Sequence, residues 1–157
     1  MGVEIERKFL VAGDGWRALG EPVLLRQGYL CADPMRTVRV RIEGGQGVLT
    51  IKSKNVGATR GEWEYPIPLQ EAAELLDRLC ERPLVEKTRR RIAHAGFVWE
   101  VDEFLGENAG LVVAEIELPS EDTAFERPSW IGQEVTGDKR YYNSSLIRTP
   151  YSTWTTS

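Results

Sequence analysis

Most of this chain alternates, residue by residue, between apolar and ionisable side chains. Residues 3–11 place Glu4, Glu6 and Lys8 on one parity and mainly apolar side chains on the other. Because successive side chains of a strand point to opposite faces, the pattern predicts a strand with one charged face. The alternation recurs in residues 24–31, 36–43, 47–54, 61–67, 85–92, 98–105 and 111–118.

Turn-forming residues separate these runs, so the chain is expected to be α+β and mainly β, with an antiparallel sheet that curls or closes. Helical spacing predicts one helix over 69–81, which ends before Pro83. A second short helix is expected near 120–127, after an N-cap at Ser120, and a third over 140–148. The length of 157 residues suits one domain. We expect it to span 1–149, with a frayed tail at 150–157.

The composition excludes several classes of function. A net charge of −4 and the lack of a Lys/Arg run argue against a nucleic-acid binder. No apolar window is long enough to span a membrane, and charged residues begin at once, so we expect no membrane contact and a cytoplasmic location. The single histidine excludes two-histidine zinc patterns, and the common nucleotide-binding motifs are absent.

Charge is segregated by strand. The runs at 3–11, 61–67, 98–105 and 111–118 are acidic, whereas those at 36–43, 47–54 and 85–92 are basic. One interpretation is that the charged faces simply meet solvent while the apolar faces form a sandwich. The other is a barrel with a charged interior. Periodicity alone leaves both open.

A charged interior would predict a particular ligand. Alternate carboxylates, as in Glu4/Glu6 and Glu115/Glu117, present oxygen ligands that suit Mg²⁺, Mn²⁺ or Ca²⁺ rather than zinc. Lys and Arg side chains suit a polyanion, since the Arg guanidinium forks onto phosphate oxygens. The two sets together indicate a metal-bound chain of phosphates.

These residues also resemble a known family. The segment EIERKFLV at 4–11 contains the Glu-x-Glu-x-Lys signature of the CYTH superfamily, the triphosphate tunnel metalloenzymes. The chain looks most like the short bacterial members that hydrolyse inorganic tripolyphosphate. Its further motifs follow in the family's order: LRQGYL at 25–30, VRVRI at 38–42, LTIKS at 49–53, RGEWEYPI at 60–67, VEKTRRRI at 85–92, WEVDEF at 99–104, AEIEL at 114–118 and WIGQEVTGDKRYYNSSL at 130–146.

The resemblance implies a closed antiparallel barrel of eight strands that forms a tunnel, with helices packed outside. It implies catalytic assistance by Lys87 and Tyr29, and metal binding by Glu4, Glu6, Glu115 and Glu117 with Asp102, Glu62 and Glu64 as helpers. Lys54, Arg91 and Glu100 share these faces but match the motifs less well. The implied phosphate-binding bases are Lys8, Arg39, Arg41, Lys52, Lys87 and Arg89.

The implied reaction is attack by water on a terminal phosphorus, assisted by two Mg²⁺ or Mn²⁺ ions. The implied substrate is a small polyphosphate. Lys87, near Tyr29, would help to move a proton only if neighbouring Arg89 and Arg91 lower its pKa.

Three alternatives stay open: class IV adenylate cyclase, thiamine or nucleoside triphosphatase, and a non-catalytic polyphosphate-binding domain. Outward parity of Trp63 and Trp99 weighs against a base-binding pocket. These two side chains and Val101 are expected either to lie under the helix at 69–81 or to form a homodimer face.

Overall fold

The alternating segments form the strands of one antiparallel sheet in a computed structural model that describes residues 2–154. Its strand order is β5-β4-β3-β2-β6-β7-β8-β1-β9. The strands are β1 (Gly2–Val11), β2 (Val23–Cys31), β3 (Arg36–Glu43), β4 (Gln46–Ser53), β5 (Thr59–Ile67), β6 (Val85–His94), β7 (Phe97–Phe104), β8 (Val112–Glu117) and β9 (Ile131–Glu134).

The sheet closes because β5 pairs with β1 as well as with β4. Gly2 lies opposite Glu62, and Glu4 lies opposite Arg60. Beyond this pairing with β5, β1 lies between β8 and the short β9 and pairs with both. Closure satisfies the backbone groups that an open edge would leave unpaired. The predicted closed eight-stranded barrel is confirmed, and β9 is a strand that the alternation did not predict.

Cross-strand pairing brings the ionisable residues onto one face. Lys8 lies opposite Glu115, which in turn lies opposite Glu100 on β7. Residues directly opposite each other share a sheet face. The charged parity of β1 is therefore continuous with that of β8 and β7, and these side chains point into the barrel.

Helix α1 (Leu69–Arg78) covers the outside of the β3–β4 region. Val40 on β3 is buried against Ala72 and Leu76 of α1. The close approach depends on Gly47 of β4, because a Cβ atom there would lie 2.7 Å from Ala72 Cβ. The predicted helix over 69–81 is thus confirmed, although it ends at Arg78.

A second outer cluster is built around Trp99 of β7. The Trp99 ring meets the rings of Phe125 and Trp130 edge to face, with centroids 5.7 and 6.0 Å away. Trp16, in the 3₁₀ helix Gly15–Ala18, joins the same cluster. Trp99 and Val101 were expected to lie under α1 or at a homodimer face. Both expectations are wrong, because the residues of this outer cluster bury the two side chains.

The C-terminal segment packs on apolar barrel residues. Leu146 and Ile147 share a buried cluster with Val85, Phe104 and Val113 of the barrel. This segment contains the 3₁₀ helices Lys139–Tyr141 and Tyr151–Thr153 and the short α2 (Asn143–Leu146). The predicted helix over 140–148 is interrupted, because Tyr142 has extended backbone with φ −72° and ψ 133°.

Residues 150–154, expected to begin a frayed tail, contain the 3₁₀ helix Tyr151–Thr153. Tyr151 and Trp154 pack against the C-terminal cluster, with ring centroids 5.0 Å apart. The backbone N–H of Tyr151 also donates to Asn108 Oδ1 at 2.9 Å. Residues 155–157 lie outside the described part of the chain.

The predicted helix near 120–127 is also wrong. Ser120 does not cap a helix; its hydroxyl lies 2.9 Å from that of Thr123, and residues 123–128 are irregular. The segment crosses the outer face so that Phe125 reaches the ring of Phe9. Within residues 2–154, no helix has the length and hydropathy needed to cross a lipid bilayer.

Replacement of Trp99 tests the outer cluster. Trp99 is fully buried, so Trp99→Ala is expected to lower the free energy of unfolding by about 3–5 kcal/mol, measured by urea denaturation. The neighbouring Val98 is 53% exposed, and Val98→Ala is the matched control, with an expected loss below about 1 kcal/mol. Equal losses in the two variants would contradict this packing.

Candidate active site

A cavity of about 230 Å³ opens inside the barrel, and the predicted residues collect around it. Every predicted site residue except Asp102 contributes to its lining: Glu4, Glu6, Lys8, Tyr29, Arg39, Arg41, Lys52, Glu62, Glu64, Lys87, Arg89, Glu115 and Glu117. Arg91 and Glu100, which match the motifs less well, line it too. The strand pairing described above thus brings residues distant in sequence to one space.

Glu4 lies between two bases at one part of the cavity. Its carboxylate accepts hydrogen bonds from Lys52 Nζ at 3.0 Å and from Arg60 Nε at 3.1 Å. Burial alone would raise the pKa of Glu4, but Lys52 and Arg60 hold it well below its ordinary value. Glu4 is therefore ionised and already paired within the protein.

The pKa of Glu6 is shifted in the opposite direction from that of Glu4. Burial raises its pKa well above the ordinary value, and the nearby charges of Glu115 and Glu4 raise it further. Among the described residues Glu6 forms no ion pair. Burial, Glu4 and Glu62 likewise raise the pKa of Glu117. This part of the cavity holds more negative charge than its bases neutralise.

The acidic groups fit a hard divalent cation by their chemistry. Carboxylate oxygens are the ligands that Mg²⁺ and Mn²⁺ prefer, and a cation would relieve the repulsion that acts on Glu6. The groups are not preassembled as a cage: residues 2–154 contain no cluster of three or more acidic, His or Cys side chains placed to hold a metal ion. Glu4 and Glu115 instead contact Lys52 and Lys8 at 3.0 and 3.5 Å.

Arg39 and Arg41 line another part of the cavity with unused hydrogen-bond donors. The Nε atoms of both are buried and find no acceptor within the described part of the chain. Arg39 reaches only Thr50 Oγ1, at 3.4 Å. Burial, and then the charges of Arg39 and Arg89, lower the pKa of Arg41. Buried cationic donors without acceptors favour an anion with several oxygens.

Lys87 is almost fully buried, with 2% of its surface exposed. Its ammonium lies 2.8 Å from Asp102 Oδ2 and donates to Asn143 Oδ1 at 2.8 Å. Burial lowers the pKa of Lys87 to about 8; Asp102 opposes this shift and Arg89 adds to it. The direction agrees with the sequence prediction, but burial rather than a neighbouring charge is the larger cause.

Tyr29 lines the same cavity as Lys87 and belongs to the buried cluster around Val85 and Phe104. The catalytic role of the pair stays a prediction, because the ammonium of Lys87 has Asp102 and Asn143 as its partners.

Asp102 is the predicted residue that does not line the cavity. It is fully buried and accepts hydrogen bonds from Arg89 Nε at 2.7 Å and Nη2 at 2.9 Å. Its contact with Lys87 completes a buried triad. Asp102 therefore holds the two bases in place, and its role as a helper in metal binding stays a prediction.

Several lining residues were not predicted. Arg60 has the same parity as Glu62 and Glu64, so extending the predicted run at 61–67 by one residue would have found it. Among the others, the two threonines share the parity of the charged residues of β3 and β4 but carry no charge, and the remaining three belong to the irregular C-terminal segment. These other residues are Thr37, Thr50, Tyr142, Asn143 and Ser144.

Residues 2–151 match the CYTH domain family. An inorganic triphosphatase of Acetivibrio thermocellus is 55% identical over 151 residues, which cover 96% of this chain and 97% of that protein. An inorganic triphosphatase of Nitrosomonas europaea is 41% identical, over 91% of this chain and 95% of the relative. A crystal structure of an inorganic triphosphatase superposes with a TM-score of 0.65 at 40% identity, covering 94% of this chain and 95% of the other.

The crowded carboxylates predict a pH-dependent gain in stability for Glu6→Gln. The unfolded chain ionises Glu6 near pH 4.5, but the folded protein resists ionisation, so this group destabilises the fold increasingly as the pH rises above 4.5. Without divalent cations, the melting temperature of Glu6→Gln should be higher than that of the wild type at pH 8. The difference between the two melting temperatures should shrink towards pH 5.

The exposed Glu86 of β6 provides the matched control, because Glu86→Gln removes a carboxylate that faces solvent. Calorimetry of the three proteins should show the pH-dependent difference in Glu6→Gln alone. A melting temperature at pH 8 that is no higher than that of the wild type would refute the crowding.

Proposed function

Because the chain belongs to the CYTH domain family, we propose that it is a divalent-metal-dependent triphosphatase that cleaves inorganic tripolyphosphate to pyrophosphate and phosphate inside the barrel. Support comes from the two inorganic triphosphatases that are 55% and 41% identical over nearly the whole chain. The observation that carries the proposal is one cavity that contains both unsatisfied Arg donors and crowded carboxylates. A polyphosphate bound with a cation satisfies both sets at once.

The proposed cofactors are Mg²⁺ or Mn²⁺, with two ions bound. Ions of this kind, when bound, neutralise phosphate charge and lower the pKa of a bound water. The proposed ligands are Glu4, Glu6, Glu115 and Glu117, with help from Glu62 and Glu64. To bind the cation, Glu4 would have to give up part of its contact with Lys52 and Arg60. Those two bases would then be able to move towards phosphate oxygens.

The proposed phosphate-binding bases are Lys8, Arg39, Arg41, Lys52, Lys87 and Arg89. Arg39 and Arg41 bring donors that are already desolvated, so they lose little hydration when they bind an anion. The carboxylate of Asp102 accepts two hydrogen bonds from the guanidinium of Arg89, and this orients the remaining N–H groups of Arg89.

In the proposed reaction, water attacks a terminal phosphorus, the P–O bond of the anhydride breaks and pyrophosphate leaves. The Arg and Lys side chains stabilise charge that spreads over the phosphoryl oxygens. Lys87, with a pKa lowered to about 8, can hold or release a proton near neutral pH. Tyr29 is proposed to assist it from the same lining.

The lining favours tripolyphosphate over a nucleotide or thiamine triphosphate. Its aromatic residues are Tyr29 and Tyr142, and the ring of Tyr142 already lies over Lys8 Nζ at 5.4 Å. Trp99 lies in the outer cluster, where it cannot stack on a base. The carboxylates weigh against a domain that only binds polyphosphate.

We also propose that the functional unit is one domain. The span expected from the sequence was 1–149, and packing of Tyr151 and Trp154 against the C-terminal cluster extends it to Trp154.

Phosphate release should be measured with tripolyphosphate, ATP, thiamine triphosphate and pyrophosphate, each with Mg²⁺, Mn²⁺ or EDTA. We expect metal-dependent release from tripolyphosphate well above that from the other three, and none with EDTA. Cyclic AMP formed from ATP would assign the cyclase activity instead. Binding of tripolyphosphate without turnover of any substrate would overturn the enzyme proposal.

Lys87→Ala tests the proposed role of the buried lysine. We expect its kcat to fall about 100-fold or more, because proton transfer and charge stabilisation are lost together. Its affinity for Mn²⁺, measured by calorimetry, should change much less. Lys139→Ala, which removes an exposed lysine outside the cavity, is the control. Equal losses of turnover and metal affinity would contradict this role.

A further inference from the structure

The side chain of Asn143 connects the C-terminal segment to the barrel wall. Its Oδ1 accepts hydrogen bonds from Lys87 Nζ at 2.8 Å and from Gln27 Nε2 at 2.9 Å. An ammonium can only donate, so the contact with Lys87 requires the oxygen of the Asn143 amide on that side. The orientation of this amide is therefore fixed by chemistry.

The contacts of Lys87 leave one direction free. An ammonium group has three N–H donors, and here it donates to Asn143 Oδ1 and lies 2.8 Å from Asp102 Oδ2 as an ion pair. The third remains available to a ligand in the cavity that Lys87 lines. Without Asn143, the ammonium would keep a single anchor and would rotate about it.

Gln27 on β2 supports this arrangement at a cost. Its side chain is fully buried, and its Oε1 finds no hydrogen-bond partner among residues 2–154. An unpaired buried amide oxygen lowers the stability of a fold. The only hydrogen bond of the Gln27 side-chain amide in this part of the chain is the one from Nε2 to Asn143 Oδ1.

The backbone that carries Asn143 is also well anchored. Leu146, three residues further along α2, is fully buried in the C-terminal cluster. The hydroxyl of the preceding Tyr142 accepts a hydrogen bond from Asn55 at 3.1 Å. An amide oxygen that accepts two hydrogen bonds and is carried by an anchored backbone can set the position of its partner to within a fraction of an ångström.

We propose that Asn143, held by Gln27, is a positioning residue that directs the ammonium of Lys87 at the phosphoryl group of the substrate. The catalytic consequence rests on the proposed function of Lys87. Asn143 is the acceptor through which the C-terminal segment takes part in the site.

Kinetics test the catalytic consequence. Asn143→Ala should lower kcat for tripolyphosphate by about 10- to 100-fold with little change in KM, because a misdirected ammonium still attracts the anion. In a Lys87→Ala background, Asn143→Ala should cause no further loss, since there is no ammonium left to direct. Additive losses in the double variant, or an unchanged kcat in the single variant, would refute this role.

Two further variants separate positioning from folding. Gln27→Leu, which removes the donor to Asn143, should lower kcat in the same direction by a smaller factor. Ser145→Ala, on the same short helix but outside the cavity lining, is the control and should keep wild-type kcat. Melting temperatures report any general loss of structure, and an equal effect of Ser145→Ala would overturn the assignment.

A spectroscopic measurement tests the contact without relying on turnover. A buried ammonium held by two acceptors exchanges its protons slowly, so Lys87 should give a resolved ¹H–¹⁵Nζ signal at low pH and low temperature, assigned by its loss in Lys87→Arg. Asn143→Ala should abolish the signal, and Ser145→Ala should retain it.

The two measurements fail in different ways. If the wild type cleaves no tripolyphosphate, the proposed function and the catalytic consequence both fail, while the NMR signal still decides whether Asn143 holds Lys87. If the wild type is active but the signal is unchanged in Asn143→Ala, the positioning role alone is wrong.

Discussion

The structure depends on how the barrel accommodates the charges of its interior. Glu4 with Lys52 and Arg60, and Asp102 with Lys87 and Arg89, are ion pairs between side chains on different strands. Such pairs offset the desolvation of buried charges but seldom exceed it. Arg41 has only a 3.9 Å contact with Glu43 of its own strand, and within residues 2–154 neither Glu6 nor Arg39 forms an ion pair. The interior is therefore arranged for a ligand rather than for maximal stability.

The outer apolar faces make this interior possible. A barrel that places its charges inside must bury its hydrophobic residues on the outside, where α1 and the cluster around Trp99 cover them. Burial of apolar surface is the main favourable term in folding, and here it opposes the cost of a charged centre. The C-terminal segment adds a third cluster and brings Asn143 to the cavity.

Much of this arrangement could be predicted from the alternation of residues. A strand has a period of two, so the parity of Glu4, Lys52 and Arg89 determined their face once closure was assumed. The resemblance to the CYTH superfamily supplied that closure and the roles of the bases. Parity also placed Asp102 on the inner face. It could not show that contacts with Lys87 and Arg89 would keep Asp102 out of the cavity lining.

The segments without a period could not be predicted in the same way. Around Ser120, a plausible capping residue precedes a stretch whose Phe125 is bound by tertiary contacts to Phe9 and Trp99, and packing overrides local preference. The tail contains Tyr151 and Trp154, whose burial depends on a surface formed by distant strands. Asn143 gave no signal because its role depends on Lys87 and Gln27, residues far away in the sequence.

The charges of both signs that lack partners among the interior residues that the structure describes are expected to be satisfied together, by a cation and a polyphosphate. The most direct test is thermal unfolding with Mg²⁺ alone, with diimidotriphosphate alone, whose bridging nitrogens resist hydrolysis, and with both. Binding to the folded state raises the melting temperature. The two ligands together should raise the melting temperature by more than the sum of their separate effects. A combined shift no larger than that sum would show that the two sets of charges are satisfied independently.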